Sequence, residues 1–535
     1  MDTRDTQASS TRRKFLKTSL AASAAATVGS SFGGIGSVFA QSNSPNRFGR
    51  MFPRLKPFAS ATPQMRAALL EIGKAGGMMD AKDDLTKSPA ELITNLALSA
   101  NNPNNPNQTA GTTFMGQFLD HDMTFDQTSK LGIPTEPRRS PNARNPTLQL
   151  DSVYGLGPRG SPQLYNPADR AKMRIESGGL FEDLPRDANK AAILAEPRND
   201  ENLMLAGLQA AFIKFHNRAV DYVRSQGTTN RRDPDEDGDD DDRNTVEGVF
   251  QRARRLTVWH YQWMIVHEFL PLFIGQPMVN DIMSNGGRFF RPEEGEGYIP
   301  VEFSVAAYRF GHSLIRPSYR ANLAGDNGAP FFGMVFSPGQ IGSPDPSDLS
   351  GGARAPRRFI GWQTFFNFND GQVKPNKIID TRLSTPLFNL PINTIFGFEN
   401  GQPTSLPQRN LLRHMTFGLP SGQAIAREMG VPVLSAGDFS DLQGLGVGLE
   451  SSTPLLFYIL REAHLMASGL TLGPMGGRIV GEVFAGMLKS DDESYLSVNR
   501  NWRPTLPARS GAVTGDFRMV DFLTFAGVDP TSRGQ

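Results

Sequence analysis

A mainly α-helical domain with long irregular connections is predicted by three observations. Apolar residues recur at helical spacing in several segments, strand-like alternation is nowhere sustained, and glycine and proline are abundant at 54 and 39 residues. The clearest helix carries Val249, Leu256, Trp259, Trp263, Val266 and Leu270 at intervals of seven, three, four, three and four, and Pro271 is expected to stop it. A second is expected to start with Thr453 as N-cap and Pro454 as first residue, to run through Leu455 to Leu460, and to end by Gly469. A third is expected from Asp200 through Phe215 and His216 to Tyr222.

The chain has 535 residues and a formal net charge of +1, which gives no electrostatic case for nucleic acid or an anionic membrane as partner. It contains no cysteine. Disulfides, thiolate catalysis, iron-sulfur clusters, thiolate-ligated haem and cysteine zinc sites are thereby excluded, and any metal must be held by His, carboxylates or carbonyls. Ser10 to Lys17 contains Arg12-Arg13 followed by Phe15-Leu16; a weakly apolar Ala, Gly and Ser run then leads to Val38-Phe39-Ala40 before Gln41. This resembles a twin-arginine export signal with a small-residue cleavage site, and its run is too glycine-rich for a membrane span. The expected division is 1–40 as signal peptide, 41–62 as a Pro-rich extended arm and 63–535 as one continuous domain, periplasmic or secreted, without a transmembrane segment in the mature chain. The acidic run Asp233 to Asp242 partly imitates a calcium loop, but Asn244 stands where that loop needs a bidentate Glu, so a solvated insertion is expected.

The segment Phe114 to Thr124 is the most informative. On a helix, Gln117 lies four residues from His121 and three from Asp120, so the three polar groups share a face, while Asp122 is turned about 100° from His121. One short stretch can therefore serve two sites. His267-Glu268 begins a zinc-protease motif that no later His completes, and His216, His260, His414 and His464 lack a metal-ligand partner at helical spacing, so these are expected to be structural.

Four motifs follow one another along the chain: Gly116-Gln117-Phe118-Leu119-Asp120-His121-Asp122, Glu196-Pro197-Arg198-Asn199-Asp200-Glu201-Asn202, Tyr308-Arg309-Phe310-Gly311-His312 and Arg409-Asn410 through Arg413 to Gly418-Leu419-Pro420. Together they resemble the animal-type haem peroxidases of the peroxidase-cyclooxygenase superfamily, here as a bacterial secreted member, over roughly residues 60 to 530. The resemblance implies a large helical domain around a buried haem b. It makes His121 the distal base, Arg198 the catalytic arginine, Gln117 a hydrogen-bonding neighbour of bound peroxide, His312 the axial iron ligand and Asn410 its support. Arg309 and Arg413 are the expected partners of the haem propionates. Asp120 and Glu201 match the carboxylates that form esters with haem methyls, so none, one or two such links are expected, while Asn202 replaces the Met of a sulfonium link.

The implied reaction is reduction of hydrogen peroxide through a ferryl intermediate, with oxidation of halides or small organic reductants. The alternatives are a fatty-acid dioxygenase or cyclooxygenase, whose radical-forming Tyr would sit three residues before His312, where this chain has Arg309 and places Tyr308 one further back, and an inactive haem-binding module. The resemblance further implies a calcium site built from Asp122 and a loop in which the family's Thr, Asp and Ser are replaced by Asn145, Gln149 and Asp151, with Thr147 giving its carbonyl. Two carboxylates remain there, and weakened calcium binding is expected.

Overall fold

The computed structural model describes residues 46–177, 181–226, 245–295, 297–343, 345–353 and 357–531. The twin-arginine segment and the acidic run 233–242 lie outside the described residues. Residues 44–535 form one compact unit, built mainly of helices with long connections. The described strands pair only in twos. Eight helices position the site: α1 (Pro63–Ile72), α2 (Ala110–Met123), α3 (Leu203–Ser225), α4 (Val246–Met264), α5 (Leu406–Phe417), α6 (Leu455–Ala467), α7 (Pro474–Ser490) and α8 (Met519–Ala526).

Helix α3 starts where Asn202 accepts the N–H of Leu205 at 2.9 Å, three residues later than the sequence suggested, because Asp200 belongs to a preceding 3-10 turn. It packs against α2, α4 and α8. Phe212 joins all four: its ring stacks on Phe118 of α2 at 4.6 Å, meets Phe522 of α8 at 4.5 Å and Tyr261 of α4 edge-on at 5.6 Å. Gly207 lets α3 pack closely on Trp362, since a Cβ there would lie 3.0 Å from its ring.

Pro271 does not stop the helix that precedes it. After α4 the chain passes through a π turn, Ile265–Phe269, and continues as Leu270–Ile274, ending at Gly275 with φ +77. A proline in a helix frees the carbonyl four residues back. Here that carbonyl, on His267, accepts Arg518 Nη1 at 2.6 Å, so the group is satisfied and the helix runs on. Helix α6 starts one residue later than expected, with Pro454 in the cap position. Thr453 is instead buried in a clamp with Gln423, which donates to its Oγ1 at 2.7 Å and accepts its N–H at 2.9 Å.

The described part of the Pro-rich segment, 46–62, belongs to the body. Phe48 and Gly49 pair in parallel with Ile299 and Pro300, and Phe48, Met51, Phe52 and Phe58 are buried. The Glu302 carboxylate accepts the N–H groups of both Met51 and Phe52. Polar composition concealed these four core residues. Among the described residues, no helix is long and apolar enough to cross a membrane.

Candidate active site

Helix α2 emerges from the strand Asn104–Thr109, which pairs antiparallel with Pro375–Lys377. Gln117, Asp120 and His121 of α2 line a cavity of about 250 Å³, as helical spacing predicted. Arg198, Glu201 and Asn202 join them from the turn before α3, and Tyr308, Arg309 and His312 from the 3-10 turn Ala307–Leu314. Phe269, Phe310, Phe336, Leu387, Leu390 and Phe396 supply apolar wall.

His121 is buried, and its Nδ1 lies 2.8 Å from Asn199 Oδ1. Because that oxygen can only accept, Nδ1 carries the proton and Nε2 keeps its lone pair. Asn199 is fixed in turn by donating to Gln209 Oε1 at 2.9 Å. Burial, then the nearby Arg198 charge, pushes the His121 pKa down to about 4, so the ring is neutral at ordinary pH.

Arg198 sits at the C-terminal end of α2, where its Nη2 donates to the carbonyls of Thr124 at 2.6 Å and His121 at 3.2 Å. Unsatisfied helix-end carbonyls are a favourable place for a cation. The guanidinium lies 4.2 Å over the Phe125 ring, and its Nε and Nη2 each donate to Glu196 at 2.9 Å. Nη1 makes no hydrogen bond among the described residues. Glu196 also accepts Arg144 Nε at 2.7 Å. Burial opposes its charge, but Arg198 and Arg144 hold its pKa down to about 2.

His312 is neutral as well, its pKa pushed down to about 3 by burial and then by Arg309. The Asn410 amide of α5 lies 2.8 Å from His312 Nδ1. For Nε2 to bind iron, Nδ1 must donate and the amide must present its oxygen, an exchange of amide atoms within the same envelope. The Nε2 atoms of His121 and His312 make no hydrogen bond among the described residues, and both rings line the one cavity. This donor set and the apolar wall fit a haem. Asp120 accepts Thr124 Oγ1 at 3.0 Å and faces Arg309 at 3.8 Å; burial opposes ionisation, yet Arg309 and Arg198 keep its pKa low. Glu201 accepts Gln117 Nε2, and burial pushes its pKa up to about 8. Arg309 lines the cavity and donates to the Ser304 carbonyl at 2.8 Å, but Arg413 is not among the cavity residues: it pairs with Asp126 at 3.0 Å and bonds Ser129.

The side-chain oxygens of the expected calcium ligands are mostly engaged by the protein's own groups. Gln149 donates to Asp491 and accepts Arg254 at 3.3 Å, while Asn145 Oδ1 accepts the Thr147 hydroxyl at 3.0 Å. Asp151 faces Arg144 at 3.6 Å, and Asp122 is filled by protein donors. No group of three or more His, Cys, Asp or Glu suited to a metal occurs among the described residues. The set does not fit calcium.

His216, His260 and His414 are structural, each with its Nδ1 or Nε2 held by backbone or Tyr154, and His267 stacks on Trp263 at 3.6 Å. Sequence reasoning missed Asn199, Gln209 and Glu196 as supports of the distal pair. The first two carry no local signal, since Asn199 meets His121 across 78 positions of sequence.

The architecture is that of haem peroxidase and dioxygenase structures. Peroxidase A of Dictyostelium discoideum matches with a TM-score of 0.57 and 17% identity, over 87% of this chain and 92% of its own. A fatty acid alpha-dioxygenase of Arabidopsis thaliana matches with a TM-score of 0.52 and 14% identity, over 84% of this chain and 73% of its own. Residues 126–343 match the model of the animal haem peroxidase family. That stretch contains Arg198, Glu201 and His312, and His121 and Asn410 lie outside it. The human protein described as a probable oxidoreductase PXDNL is 26% identical over 242 residues, which are 44% of this chain and 15% of the human one. The chain thus spans a small part of that relative's length.

Proposed function

We propose that the protein is a haem-dependent peroxidase that reduces hydrogen peroxide and oxidises halides or small organic reductants. The observation that carries this reading is the pair of neutral imidazoles lining one cavity, each with Nδ1 beside an asparagine amide and Nε2 without a hydrogen bond among the described residues. Haem, when bound, supplies the iron at which the oxygen-oxygen bond is cleaved. His312 Nε2 would hold the iron, with Asn410 at Nδ1 fixing the tautomer. His121 Nε2 takes the proton that peroxide must lose and returns it to the departing oxygen. Arg198, permanently charged, stabilises the negative charge that grows on that oxygen, with Nη1 as the available donor. Glu196 holds the guanidinium in place through two of its nitrogens. Gln117, bonded to Glu201, lends a polar amide to the distal side without acting as a base.

Asp120 and Glu201 both line the cavity and are the carboxyl groups available for ester links to haem methyls. The dioxygenase reading is disfavoured by Tyr308, whose hydroxyl donates to the Gly116 carbonyl at 3.0 Å, and by Arg309 in the expected radical position. Arg12-Arg13 and the Val38-Phe39-Ala40 site support export by the twin-arginine route to the periplasm or beyond.

The test is an optical spectrum of the purified protein before and after peroxide, followed by halides and phenols. His312→Ala should lose most haem, whereas His121→Ala should keep it and react about a hundredfold to ten-thousandfold more slowly with peroxide. A wild-type spectrum without a haem band refutes the reading.

A further inference from the structure

We propose that the loop from Asn145 to Asp151 is clasped to the distal helix by the protein's own groups, without calcium, and that Arg144 and Gln149 are the residues that make a cation unnecessary. Calcium requires about six to eight oxygen ligands at one point. In this loop most of the side-chain oxygens are already committed. Asp122 Oδ1 accepts the Ser152 hydroxyl at 2.6 Å and its N–H at 3.3 Å, and Oδ2 accepts the Leu150 N–H at 3.2 Å and the Tyr261 hydroxyl at 3.1 Å. Gln149, where the family resemblance places a carboxylate, turns to Asp491 and Arg254. Asp151 Oδ2 accepts the Asn145 N–H at 3.4 Å, which leaves Asp151 Oδ1 as one buried oxygen without a hydrogen bond. One open carboxylate oxygen falls well short of the roughly six to eight ligands calcium takes.

Charge leads to the same conclusion. The Arg144 side chain, 1% exposed, lies 3.6 Å from Asp151 and 2.7 Å from Glu196, so a fixed cation already balances Asp151. A divalent ion beside that guanidinium would be repelled, and Gln149 removes one of the negative charges that would attract it. The loop's shape has its own supports. Leu148 and Leu150 adopt left-handed backbone, with φ 61 and 57, which non-glycine residues hold only when their surroundings demand it. Both leucines are fully buried, and the Leu148 carbonyl accepts Gln262 Nε2 at 3.3 Å. Because Glu196 bridges Arg144 and Arg198, the clasp also reaches the guanidinium that faces the peroxide site. This proposal concerns the loop alone and stands whichever reductant the enzyme uses.

The experiment measures the thermal unfolding midpoint and calcium content of purified holoenzyme, dialysed against EGTA or against excess calcium chloride. The expected result is an unchanged midpoint and no stoichiometric calcium in either case. Stoichiometric calcium in the wild type, or a midpoint lowered by EGTA, would overturn the proposal. The double variant Asn145→Thr with Gln149→Asp, which supplies a hydroxyl and a carboxylate to the loop, should gain a calcium-dependent rise of a few degrees. Indifference of a folded double variant to calcium would also overturn the assignment, since other residues would then be excluding the ion. If that variant does not fold, the wild-type metal content decides by itself.

Discussion

Replacing Asn199 by Ala removes the acceptor that makes His121 Nδ1 the protonated nitrogen. A buried N–H left without a partner costs about 1–3 kcal/mol. At roughly 1.4 kcal/mol per factor of ten, the population with an open Nε2 lone pair should fall roughly fivefold to a hundredfold. The rate of reaction with peroxide should fall with it, because only that tautomer can accept the peroxide proton. Stopped-flow absorbance of the haem band on mixing with peroxide measures this rate directly. The Asn199 bond also favours the charged ring, so its loss should move the acid limb of the rate profile to lower pH. A variant that merely loosened the site and admitted water would move that limb up toward the ordinary histidine value. Asn199→Asp keeps an acceptor and should restore much of the rate. A wild-type rate in Asn199→Ala, or an acid limb displaced upward, would refute the reasoning.

In the wild type, His121 must be neutral to act as base, so the peroxide rate should hold as pH falls below 6.5 and decline only through about 4, as stopped-flow at graded pH will show. An acid limb near 6.5 would mean that the ring is hydrated. Protein treated with peroxide and digested should carry haem on peptides containing Asp120 or Glu201 in the mass spectrum; freely extractable haem contradicts the ester links. Arg12→Lys with Arg13→Lys should retain activity in the cytoplasm, and undiminished periplasmic activity would count against twin-arginine export.

Local spacing made the catalytic face of α2 legible: Gln117, Asp120 and His121 fall on one side of a helix whatever it packs against, and Asp122 falls on another. The core stripe of α4 was equally plain, because burial of Trp259 and Trp263 follows from a repeat within one segment. The helix class came from the same periodicity, and the paired order of distal and proximal motifs suggested the domain that the fold then displayed. Tertiary structure decided whatever depends on a partner far away in sequence. Pro271 reads as a stop until Arg518, 247 positions later in the numbering that separates it from Pro271, is seen to satisfy the His267 carbonyl. Residues 46–62 read as a polar arm until Glu302 is found holding their backbone. Asn145, Gln149 and Asp151 read as oxygen donors for a metal, because their chemistry permits it. Only the fold shows Arg254 and Asp491 taking Gln149, and Arg144 facing Asp151, with the Asn145 amide oxygen taken by Thr147. The physical reason is common to all three: a side chain's donors and acceptors are fixed by its type, but what satisfies them is set by the packing of distant segments.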